Sequence, residues 1–116
     1  MEIHDRLGFV VLVVAVAGAL LSVLALLRPR LMPTVRVYLR LELLTVALQV
    51  VVGLVLLLLG ERPSQLLHWF YGAATLLALP LATVIGRGRG VRDETVWIVG
   101  GAVATVLFAF RAVSTG

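Results

Sequence analysis

The chain has 116 residues, 61% of them apolar, with a formal net charge of +4 and no cysteine; its mean hydropathy is +1.11. Soluble chains run about 45–50% apolar, and small domains bury only about 60–70% of the surface they expose on unfolding, so a soluble fold of this length is excluded. The missing cysteines exclude disulfides, iron–sulfur ligation, thiolate catalysis and covalent heme attachment.

Taken in chain order, four apolar runs approach the roughly 20 residues that a membrane span needs. The first is Leu7–Leu27, with no charge inside it, stopped by Arg28-Pro29-Arg30. It is too long for a signal-peptide core and has acids before it, so it reads as a retained helix. The second covers about 35–59; Arg36, Arg40 and Glu42 lie in its opening turns and Val and Leu fill the rest. Gly60-Glu61-Arg62-Pro63-Ser64 reads as a tight turn. The third span covers about 65–85 and contains Pro80, which removes one backbone bond. Gly86-Arg87-Gly88-Arg89-Gly90 is a basic loop, and the fourth span covers about 93–113, with Asp93 and Glu94 favourable to the dipole of its first turn. No segment alternates with period two, so a transmembrane β-barrel has no support.

Short loops make consecutive helices antiparallel neighbours. The expected fold is therefore an all-α membrane protein, a single transmembrane domain over residues 1–116 built as a four-helix up-down bundle. All ten basic residues are arginines. Seven (Arg28, Arg30, Arg36, Arg40, Arg87, Arg89, Arg92) fall on the side of the first and third loops and three (Arg6, Arg62, Arg111) on the other. The positive-inside rule then puts both termini outside and the protein, multi-pass, in the cell (inner) membrane. The arginines are a topology signal, and no nucleic acid is expected as a partner. The expected partners are the lipid bilayer and either other membrane subunits or further copies in a homo-oligomer.

Two histidines stand out. His4 opens the first helix and His68 opens the third, so both imidazoles sit at one level of the membrane. Each is followed four residues later by glycine, Gly8 and Gly72, on the same helix face. Imidazole is a neutral axial ligand for heme iron, and a flat macrocycle beside it needs the neighbouring helix surface pared away. The second helix offers Gln49 and Gly53 on one face, with Gly53 at the depth of Gly72. Arg111, near the outer end of the fourth helix, is placed to pair with a heme propionate; Arg6 and Arg62 are less constrained choices. The bland reading is an interfacial pair of histidines with glycines for helix packing and a snorkelling arginine. The His-x-x-x-Gly opening of helices one and three also suggests a parallel repeat, although the halves share little else.

The run Leu48-Gln49-Val50-Val51-Val52-Gly53, then Pro63, then Leu67-His68, together with the start His4-Asp5-Arg6, resembles the heme A synthase family over about residues 2–80. That resemblance implies His4 and His68 as axial ligands of a heme b. The family has eight helices and two heme-type sites; four helices suffice for one. Its first His is flanked differently from Glu2-Ile3-His4-Asp5-Arg6, so the resemblance extends to ligation and not to the family's oxidation chemistry.

Glu42 has two readings, an interfacial acid neutralised by an arginine or a proton-coupling carboxylate. The second would suggest a small proton-coupled transporter, but such proteins carry their acid in mid-helix one, where this chain has none. Ala15, Gly18 and Ser22 make a small-residue stripe for a close helix contact. Trp69, Tyr71 and Trp97 fall at the membrane boundaries. No Ser/His/Asp set, phosphate-binding loop or metal-hydrolase motif argues for stand-alone catalysis. The expected function is bis-histidine heme binding near the outer face, for electron transfer or heme handling, with a cofactor-free accessory subunit as the alternative.

Overall fold

The computed structural model describes residues 2–60 and 67–115. Four helices carry the chain: α1 Glu2–Leu27, α2 Met32–Leu58, α3 Leu67–Gly86 and α4 Val91–Thr115. No strand occurs among the described residues. All four helices are long and apolar enough to cross a membrane. The bundle measures 46 × 22 × 19 Å, and its long axis matches a bilayer with its headgroup regions, about 40–45 Å.

Local chemistry fixes the ends. α1 stops at Arg28, whose extended backbone (φ −133°, ψ 86°) is what a residue before proline adopts. A 3-10 turn over Pro29–Leu31 leads directly into α2, which has proline in its first turn. Gly60, just past α2, takes the left-handed φ of +94° that lets a chain leave a helix. Between α3 and α4, Gly88 and Gly90 adopt positive φ, and the Arg89 Nε donates 2.8 Å to the Ile85 carbonyl at the α3 terminus. α1 begins five residues before its charge-free run and α4 two before its expected start, because polar residues at an apolar run's edge extend the helix into the headgroup layer. The expected start of α3 at 65 and most of the turn over 60–64 lie outside the described residues.

Each helix buries a seam spaced three and four residues apart: Val11, Ala15, Gly18, Ser22 and Ala25 on α1; Val35, Leu39, Glu42 and Val46 on α2; Thr75, Leu79, Ala82 and Gly86 on α3; Thr95, Ile98, Ala102, Thr105 and Ala109 on α4. This is the spacing of helices packed near-parallel. α3 packs most extensively on α4, α4 on α1, and α1 on α2, while α2 and α3 touch least. The order around the bundle is thus α2-α1-α4-α3, with its loosest seam between α2 and α3. Small residues permit the closest approach: a Cβ on Gly101 would lie 2.5 Å from the Ala82 Cβ and 3.2 Å from the Ala78 carbonyl oxygen. Outside the seams the surface is apolar, with Leu20, Leu44 and Leu58 exposed by 68, 65 and 86%. Such a surface suits contact with lipid.

The interior has two apolar clusters. One, at the end remote from the chain termini, holds Ala25, Met32, Val35, Leu39, Leu79, Ile98 and Ala102. There an ion pair between Arg36 and Glu94 ties α2 to α4. The other, toward the termini, holds Val11, Val46 and Ala109. Between them in the seams lie the fully buried polar residues Ser22, Glu42 and Thr105.

Candidate cofactor-binding cavity

The slack between α2 and α3 opens a cavity of about 440 Å³ at the end that carries the termini, within the usual range of about 300–1,000 Å³ for ligand sites. Its lining includes His4, His68, Gly8, Gln49, Gly53 and Gly72. The exposed Asp5, Leu54, Trp69, Ala73 and Val113 also line it. The extension of α1 back to Glu2 puts His4 in its first turn, facing His68 at the second position of α3.

The two imidazole centroids are 5.8 Å apart and the ring planes are inclined at 82°. A metal bonded by one nitrogen of each ring would set the centroids about 6.3 Å apart, from a metal–nitrogen distance of about 2.0–2.1 Å and about 1.1 Å more to each ring centre. The observed pair is within about half an ångström of that spacing. Rotation about a metal–nitrogen axis leaves the angle between the planes free, so 82° is compatible with it.

The tautomer of His68 follows from its partner. Its Nδ1 lies 2.8 Å from the Ala112 carbonyl oxygen on α4. A carbonyl can only accept, so Nδ1 carries the hydrogen and Nε2 keeps its lone pair. This is the outer-shell arrangement that orients ligating histidines. The Gln49 Nε2 donates 2.8 Å to the His4 carbonyl oxygen. The His4 Nδ1 and the Gln49 Oε1 are buried and meet no partner at full hydrogen-bond geometry, although the two side chains interact with each other.

The glycines divide by role. At Gly72 an added Cβ meets nothing within 4 Å, so the space beside His68 is open. At Gly53 a Cβ would lie 3.3 Å from the His4 Cε1, and at Gly8 it would lie 3.3 Å from the Gln49 Nε2. Those two glycines admit protein side chains, a ring and an amide, rather than clearing volume for a guest. Arg111 does not line the cavity; its guanidinium sits 5.5 Å from the centre of the Tyr71 ring, which also meets Phe70 and Phe108. Arg6 is exposed and does not line the cavity either, and Arg62 lies outside the described residues. Trp69 forms part of the wall as well as standing at the boundary.

Among the described residues no group of three or more His, Cys, Asp or Glu could hold a bare metal ion. His4 and His68 alone would leave most of a metal's coordination positions to other donors, and a macrocycle is one source that would supply them.

These features define the class: a multi-pass, all-α membrane bundle with a two-imidazole cavity at one end. Comparison with protein families, curated proteins and solved structures finds no match.

Proposed function

We propose that the protein binds one heme b in this cavity through His4 and His68, and serves electron transfer or heme handling, alone as a homo-oligomer or as a subunit of a larger membrane complex. The observation that carries the proposal is the facing imidazole pair at 5.8 Å, with the His68 Nδ1 hydrogen committed to Ala112 and its Nε2 lone pair left for a metal. A heme iron held there would supply a reversible one-electron change. The chain's own residues do the rest. Ala112 sets the tautomer and pitch of His68, Gln49 holds the first turn of α1 in place through the His4 carbonyl, and Gly72 leaves the flank of His68 clear. The arginine distribution favours this end facing outward, and the location proposed is a cell (inner) membrane. No arginine lines the cavity among the described residues, so heme propionates would extend past the rim to solvent or headgroups.

Protein purified with heme available is expected to show a Soret band and a reduced-minus-oxidised α band of six-coordinate iron. Gly72→Leu tests the cavity separately from the ligands. Its side chain enters open space, so the variant folds with unchanged thermal stability and loses most of the heme. Full heme content in that variant would place any heme elsewhere.

A cofactor-free accessory subunit is the second reading. The observation favouring it is that 5.8 Å and 82° also describe ordinary edge-to-face ring packing, whose centroids lie about 4.5–7 Å apart. A colourless protein that takes up no added heme would select it.

A further inference from the structure

We propose that Glu42 is a proton-binding site in the interior of the bundle, loaded from the cavity one turn above it; this stands whether or not the cavity takes a heme. Glu42 is 1% exposed, and neither carboxyl oxygen has a hydrogen-bond partner. Its room is made by Gly18: a Cβ there would overlap the Glu42 Oε1, and the Tyr38 ring edge closes the same notch.

The surroundings offer nothing to a negative charge. Tyr38 spends its hydroxyl proton on the Val14 carbonyl at 2.8 Å. In the same buried layer, Ser22 and Thr105 donate to the Ala19 and Gly101 carbonyls, each at 2.8 Å. No ionisable side chain occurs on α1 between Leu7 and Leu27, on α3 between Gly72 and Gly86, or on α4 between Thr95 and Phe110. On α2 itself Arg36 is paired with Glu94 and Arg40 is exposed. A bare carboxylate without donors or a counter-charge is among the most costly groups a bundle interior can hold. The carboxylic acid needs no counter-ion, and among the described residues no second carboxyl, His or Cys gathers with Glu42 into a metal-ligating group.

The route follows from the α2 seam. Val46, one turn from Glu42, belongs to the cavity wall, as does Gln49 a further turn on. Val46 packs with Val11 and Ala109, so a proton that has entered the cavity has only this layer left to cross. On the other side of Glu42 lies the larger apolar cluster around Leu39, Leu79 and Ile98.

Infrared spectroscopy of the full chain in lipid nanodiscs tests this. At about pH 8, where exposed carboxyls are ionised, the wild type should retain one carbonyl-stretch band of an undissociated acid, and Glu42→Gln should lose it. A wild-type spectrum with carboxylate bands alone overturns the site, and this arm does not depend on the variant folding. Transfer to deuterated buffer should shift the band, and Val46→Phe, which thickens the layer below the cavity, should slow the shift at least several-fold. Equal rates in Val46→Phe and wild type would overturn loading from the cavity.

Discussion

Removing both imidazoles, as His4→Ala/His68→Ala, is expected to abolish the Soret and α bands and to leave a folded, colourless bundle. The reason for the first effect is that no other imidazole, thiolate or thioether lines the cavity; the remaining polar lining residues are Asp5, whose carboxyl is exposed, Gln49, Trp69 and Thr75. The fold should survive because neither ring belongs to the two buried apolar clusters. Each single variant should be informative by difference. Loss of one ligand converts a six-coordinate spectrum into a five-coordinate one, with lower affinity. His68→Ala also removes the hydrogen bond to the Ala112 carbonyl near the end of α4, a cost of about 1 kcal/mol. Absorbance and electron paramagnetic resonance on the purified variants measure all three. A double variant with an unchanged spectrum would refute bis-histidine ligation.

Gly101→Ala is expected to destabilise the bundle by about 1–3 kcal/mol, the usual cost of overpacking a tight contact, and Gly101→Leu to prevent α3 and α4 from closing. The added Cβ would meet the Ala82 Cβ at 2.5 Å, the Ala78 carbonyl oxygen at 3.2 Å and the Leu79 Cα at 3.5 Å. Two of those three atoms are backbone, so a rotamer change cannot relieve the collision and the helices must separate. This is the most extensive interface of the bundle. The adjacent glycine supplies the control: at Gly100 a Cβ meets nothing within 4 Å, so Gly100→Ala should be neutral or stabilising by up to about 1 kcal/mol through helix propensity. Thermal denaturation followed by circular dichroism in one detergent compares the pair. Equal melting temperatures for Gly100→Ala and Gly101→Ala would show that α3 and α4 do not meet at this glycine.

The spans were legible because apolar length is a signal that needs no tertiary information. The common level of His4 and His68 was legible for a related reason: once odd-numbered helices run the same way, residues at their starts share a depth. Seam positions were also open to reading. Val35, Leu39, Glu42 and Val46 repeat at intervals of four, three and four, and that register places Glu42 inside. One of the two readings of Glu42 was a boundary acid neutralised by an arginine. The structure buries it without an arginine. Likewise Ala15, Gly18 and Ser22 were expected as a helix contact, and Gly18 turns out to house a carboxyl. What could not be read was which glycines face a guest. Gly8, Gly53 and Gly72 look alike in sequence, and only the neighbours across the interface separate the two that receive protein groups from the one that faces open space. Arg111 lies near the end of α4, but its rotation about the helix points it at Tyr71, and depth alone carries no rotation.

The loose seam between α2 and α3 has a kinetic corollary. Because the exposed Leu54, Trp69 and Ala73 of α2 and α3 line the cavity, the heme proposed above would reach the imidazoles by first dissolving among acyl chains and then diffusing in two dimensions. Its uptake should therefore follow its mole fraction in the bilayer rather than its concentration in the aqueous phase. For the same reason, bulky detergent tails would compete for the doorway.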